Sequence, residues 1–512
     1  MINLDMVLKR ILVALVLFCS GTSLFAQRIV YSEPEKDDSR RMDFEIIGKI
    51  SGNILIYKKI RTKGYVAVYN NNMEQIGKEQ QKYLPEDRLI NVDFFPYQDF
   101  TYVVYEYQKK NVVYCEAAKI DGNGKEMADI VTLDTSHIGG SMNNKVYSAV
   151  TSEDKSKIMV FKINSRNKSR FVITTLLFDD NLVLDKRSKF VVPMDEHDDH
   201  LDQFNVDNDG DFVFTKFTQN NNETINATSL IWKKADSDSI VYIEVPQKDI
   251  LLDEIHIKAD NVFKRYALTS FYYKQKRGNI EGFYFFVWDK QTQAPVLEKT
   301  TVLGEELRKE AKGDANTKMA FNDYFIRNII VKKDGGFLIN AESFYTSSRY
   351  GNWNRWNYLY GMPYYSTYDY YSIYSPYYNT WWGRSRYDNS GNVRYHADNI
   401  TVLNFDKDGN LIWSDVIHKE QFDDEGDDHI SFQIANTGNA LHYIFNMDEK
   451  RTLLLNDFVL TRDGTITHNP TLKNLDRGYE FLPKYAKQIT SQQMIIPCFT
   501  KNYICFAKID FN

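Results

Sequence analysis

Hydrophobic positions along this chain come in short runs rich in β-branched and aromatic residues, and compact polar clusters separate them. Runs of that length and composition predict strands, and the clusters between them predict tight turns. The turns read "NNNME" from Asn70, "DGNGK" from Asp121, "DDNLV" from Asp179, "DNDGD" from Asp207, "KDGGF" from Lys333, "DKDGN" from Asp406 and "RDGTI" from Arg462. Asp or Asn with Gly between extended runs is hairpin chemistry, because Gly takes the positive φ that the turn or its bulge demands. The pattern predicts a long series of antiparallel hairpins.

Taken in fours, the strands give units of about 40 to 55 residues, the period of propeller blades. The units fall at 43–80, 90–132, 145–192, 201–245, 251–302, 325–417, 428–470 and 484–511. The predicted fold class is all-β: a single closed β-propeller of eight blades, with seven as the alternative count. The last unit has room for three strands, and "RIVYSEP" from Arg28 to Pro34 is an orphan strand that would complete it and join the two chain ends. Such closure removes exposed sheet edges. One helical piece stands out, "GEELRKEAK" at 304–312, a connector before the sixth unit.

"DGGFLINAES" at 334–343 and "NITVLNFDKDGNLIWSDVIHKEQ" at 399–421, separated by a tyrosine-rich insertion, resemble the blades of exported, uncharacterised β-propeller proteins of Bacteroidota-type bacteria. The resemblance implies the fold and export, and it transfers no catalytic residue.

The N-terminus supports export independently. "MINLDMVLKRILVALVLFCSGTSLFAQ" has a basic flank, a short apolar core and a small residue before the exit point, which predicts a signal peptide over 1–26 and a propeller domain over 27–512. No later stretch has the roughly 20 apolar residues of a transmembrane helix. The expected location is the periplasm or the outer membrane, with the cell exterior as an alternative. Removing Asp5, Lys9 and Arg10 with the leader takes the formal charge from −6 to −7, which argues against a nucleic-acid partner. Three cysteines then remain, Cys115, Cys498 and Cys505, without metal spacing. A cross-strand bond between the last two is geometrically awkward, so free buried thiols are expected.

Enzyme signatures are missing: the chain has no HExxH, GxSxG, P-loop or dinucleotide fingerprint. No cofactor is expected. Asp-Asp-His occurs twice, at Asp198, Asp199 and His200 and at Asp427, Asp428 and His429, each ahead of a unit's first strand. These could hold a divalent cation, but solvated loops are the preferred reading and no metal site is assigned.

The insertion, at about 345–397, carries the candidate site. From Tyr345 to Arg394 there are thirteen Tyr, four Trp and five Arg against two Asp. A loop of this length inside a compact domain is functional or disordered, and its aromatic content opposes disorder. The candidate binding residues are Tyr364, Tyr365, Tyr368, Tyr370, Tyr371, Tyr377, Tyr378, Trp381, Trp382, Arg384 and Arg386. Tyr, Trp and Arg are enriched at binding hot spots, so the main expectation is a non-catalytic propeller that binds a protein of the cell envelope. A glycan-binding propeller and a propeller hydrolase with a loop-built site are the alternatives. An appended surface of this kind also predicts that deleting residues 346–396 leaves stability nearly unchanged.

Overall fold

The computed structural model describes residues 28–36, 42–139, 145–167, 169–194, 199–220, 224–312, 316–348, 355–360, 393–424, 426–449, 452–472, 479–500 and 503–511. Its strands follow the hairpin rhythm of the sequence. Met42–Ile50, Asn53–Ile60, Lys63–Tyr69 and Gln75–Gln80 pair in order as one antiparallel sheet. The same four-strand path recurs over 89–137, 147–193, 199–245, 251–302, 324–417 and 432–468. The fourth and fifth of these units touch edgewise through a single pair, Ile225 with Leu252.

The last unit, over 480–510, has an inner strand split into Glu480–Phe481 and Lys487–Thr490 by a 3-10 turn at Pro483–Tyr485. Its outer strand comes from the other end of the chain, where Arg28–Tyr31 pairs antiparallel with Asp510 back to Ala507. Glu35 and Lys36 continue along the same edge, opposite Ile504 and Tyr503.

Turn chemistry explains why the units repeat so regularly. Asp121 Oδ1 accepts from the backbone N–H groups of Asn123 and Lys125, at 2.8 and 2.9 Å, and Gly124 sits at φ 75°. Asp179, Asp207 and Asp406 accept from the N–H groups two and four residues on in the same way. Gly210 and Gly409 fill the left-handed position in two of these turns, and Leu182 fills it in the third at φ 58°.

Apolar clusters pack between neighbouring sheets. Val213, Leu230 and Trp232 meet Ile255, Ile257 and Leu268 between the fourth and fifth units. Phe271, Phe283 and Phe285 meet Tyr324, Ile339 and Phe405 between the fifth and sixth. Phe44, Ile54 and Tyr69 of the first unit pack on Ile495, Ile504 and Phe506 of the last. Helix Glu305–Lys312 lies where the connector was expected, and its buried Arg308 donates to the carbonyls of Leu303, Ile280 and Glu281 at 2.8–2.9 Å.

Candidate functional site

The insertion leaves the sixth unit after strand Phe337–Ser348 and returns at strand Val393–Phe405, and these two strands pair down to Ser348 and Val393. All eleven candidate binding residues, from Tyr364 to Arg386, lie outside the described residues. The described part of the insertion is its root, which includes the short helix Arg355–Tyr360.

A buried charge network holds that root on the inner strands. Strand Leu251–Asp260 reads "LLDEIHIKAD"; Leu252, Ile255 and Ile257 face the core, and a bulge between Leu252 and Ile255 sets Asp253 and Glu254 side by side. Arg355 donates from Nε and Nη2 to Asp253 Oδ2 at 2.8 and 2.7 Å, and its Nη1 reaches the Tyr324 carbonyl. Its guanidinium lies 4.0 Å from the Phe325 ring centre. Tyr273 donates to Asp253 Oδ1 at 3.1 Å. Glu254 accepts from the Ile326 N–H at 2.8 Å and lies 2.9 Å from His256 Nε2. Burial opposes the charge on Glu254, but His256 and Arg355 outweigh it and hold the carboxyl below its ordinary range.

A second set joins the sixth and seventh units. Arg327 donates from Nε to Glu342 at 2.9 Å and from Nη1 to the Tyr358 hydroxyl at 3.0 Å. Glu342 also takes Ser431 Oγ at 2.6 Å and pairs with Lys419 at 2.9 Å. Glu342 and Lys419 have no exposed side-chain surface, whereas Arg327 keeps 23% of its own. Tyr358 stacks on Phe344 at 4.8 Å. Arg327 Nε and Nη1 are thus both held, by Glu342 and by the Tyr358 hydroxyl.

The ribbon below the insertion carries a third group. Tyr345 stacks on its cross-strand partner His396 with centroids 4.5 Å apart, and Ser347 Oγ lies 2.9 Å from His396 Nε2. Burial raises the Asp398 carboxyl and lowers the His396 imidazole from their ordinary values. Burial and then Asp398 push the Tyr345 phenol up to about 12.

The Asp-Asp-His motifs are engaged in pairing. Asp199 takes Thr218 Oγ1 at 2.6 Å and Lys216 at 2.9 Å, and His200 lies 2.9 Å from Gln219. Asp427 pairs with Lys484, Asp428 accepts from Tyr485, and His429 pairs with Asp423 at 3.0 Å. Asp198 lies outside the described residues. Among the described residues no three His, Cys, Asp or Glu side chains converge on a cation position.

The sequence reading missed Asp253, Glu254, His256, Arg327, Glu342 and Lys419. For all but Lys419, which follows strand Leu411–Ile417, the local signal was polar residues interrupting apolar strands, and it has the same appearance whether they face water or one another. Arg355 lay inside the insertion but looked like one more contact arginine.

No family model and no curated protein matches the chain. Among solved structures it is similar to the polysaccharide lyase Uly1, at 7% identity over 82% of this chain and 89% of that one, with a TM-score of 0.36. It is similar to the β-propeller domain of the Trilobed protease from Pyrococcus furiosus, at 8% identity over 82% and 93%, with a TM-score of 0.36. Prolyl oligopeptidase B from Galerina marginata aligns at 9% identity over 93% of this chain and 55% of that one, with a TM-score of 0.41. This chain therefore spans about half the length of that oligopeptidase. The fold is a β-propeller.

The main functional expectation needs correction. The expectation was a non-catalytic binder of an envelope protein, whereas the similar chains with a stated activity are enzymes, a polysaccharide lyase and a prolyl oligopeptidase. That assignment is withdrawn, and the glycan or hydrolase alternative is carried forward. At these identities the likeness assigns no activity to this chain.

Proposed function

We propose that this chain is an exported glycan-directed propeller whose ligand lies on the face where the tyrosine-rich insertion is rooted. One observation carries the reading: Arg355 clamps the start of the insertion onto Asp253 and the Tyr324 carbonyl. The helix that Arg355 begins also sets Tyr358 against Arg327 and Phe344. Sugars present flat apolar faces and a rim of hydroxyls. Tyr and Trp rings match the faces at low entropic cost, and an arginine fork matches hydroxyl or carboxylate oxygens. The supply of Tyr364, Tyr365, Trp381 and Trp382 suits the first role, and the insertion's Arg384 and Arg386 suit the second.

The test is migration of the purified protein through native gels cast with neutral and acidic polysaccharides, with reducing ends and unsaturated products assayed in parallel. Retardation by at least one polysaccharide, abolished by Trp381→Ala with Trp382→Ala in a folded protein, is the expected result. Product formation would make the protein a glycan-cleaving enzyme within the same reading. Unretarded migration in every gel without turnover would overturn the proposal. Export is checked separately: N-terminal sequencing of protein recovered from the cell envelope should begin at Gln27.

A further inference from the structure

Cys498 and Cys505 are direct partners across the antiparallel pair formed by strands Gln493–Thr500 and Tyr503–Asp510. Their sulfurs lie 3.1 Å apart, and 1% and 0% of the two residues is exposed. Directly opposed residues of an antiparallel pair have Cα atoms about 4.5–5.5 Å apart, within the roughly 4.4–6.8 Å span of disulfides. The awkwardness expected for this pair is therefore absent: both thiols point the same way and already touch. Cys115, on strand Val112–Asp121 of the second sheet, is the other buried thiol among the described residues.

We propose that Cys498 and Cys505 are a disulfide site, oxidised while the last sheet assembles. In the step, one thiolate attacks a small or protein disulfide and expels one thiolate of it, and the second cysteine thiolate then attacks the protein sulfur of the mixed disulfide and expels the other. The Cys498–Cys505 bond forms, two protons leave the cysteines, and the oxidant takes two electrons to become two thiols. Timing follows from the topology. Before Arg28–Tyr31 docks, strand Tyr503–Asp510 is an edge and Cys505 can meet an oxidant. Once Val30 and Tyr31 pair with Lys508 and Ala507, and Ser32 Oγ accepts from the Phe506 N–H at 3.0 Å, that edge is covered. Burial also raises the Cys498 thiol well above its ordinary value, and both residues are closed to solvent in the folded chain, so an oxidant reaches the folded pair poorly. The bond would fix the register of the hairpin that receives the N-terminal strand.

The experiment refolds the full chain from urea in mixed reduced and oxidised glutathione, alkylates it and digests it with trypsin. Cleavage after Lys487, Lys501 and Lys508 separates the two cysteines onto different peptides. The expected result is one species, 488–501 joined to 502–508, two hydrogens lighter than the sum and split by dithiothreitol. Folded reduced protein given the same buffer should react far more slowly. Recovery of the two peptides separately after refolding, whether alkylated or each carrying glutathione, would overturn the proposal. Melting of the oxidised protein should fall by a few degrees on reduction, and Cys498→Ser should abolish that difference.

Discussion

At the residue scale, the acidic turns show how much one side chain settles. Asp121 satisfies two N–H groups only because Gly124 takes φ 75°, and a Cβ there would meet Val66 Cγ1 at 3.0 Å. Gly124→Ala should cost about 1–3 kcal/mol, the typical range for a strained left-handed residue, read as a lower urea midpoint. These turns were legible from sequence because their chemistry is local. Glu45 was not legible, since its setting is assembled from distant strands. Burial pushes its carboxyl up to about 7 from 4.5, with Lys487 and Lys145 opposing and Asp93 reinforcing the shift. Over that interval Glu45 is protonated more in the folded state than in the unfolded chain, so its contribution to stability falls as pH rises from about 4.5 to about 7. Glu45→Gln should flatten this slope when urea midpoints are compared at pH 5 and pH 7.5.

Among elements, the insertion and its root obey different rules. The runs "GGFLINAES" and "NITVLNF" that flank the insertion keep their strand pattern and pair with each other, and the pairing continues to Ser348 and Val393. The sequence did not reveal that Arg355 is part of the core. Deleting 346–396 would remove the guanidinium that neutralises Asp253, whose side chain is 2% exposed. The expectation that this deletion leaves stability unchanged is therefore revised. Removing one partner of a buried pair costs roughly 3–5 kcal/mol, so Arg355→Ala should lower the urea midpoint strongly. A shorter deletion of 362–391 spares Arg355 and Tyr358 and should leave the midpoint close to that of the intact chain. Equal loss in both variants would show that the aromatic segment itself is core.

For the whole molecule, the hairpin rhythm and the need to bury every sheet edge were enough to expect a propeller and to pair its two ends. The apolar faces between sheets were legible as alternation, whereas the polar network at the insertion root required knowing which units are neighbours. The N-terminal segment is held on both sides: residues 28–36 pair along 503–510, and Glu35 pairs with the buried Lys58 of the first sheet. Lacking residues 28–36, the chain should show a lower melting temperature and concentration-dependent aggregation, because an unpaired edge templates association. Dynamic light scattering during a thermal ramp reads both.

The central claim is that the face at the insertion root takes a glycan, and calorimetric titration of the best-retained polysaccharide tests it most directly. Intact protein and the 362–391 deletion would be compared at equal folded concentration. The account predicts measurable heat with the intact protein and at least a tenfold loss of affinity in the deletion, because a few aromatic anchors dominate such a site. Undiminished binding by the deletion would contradict it.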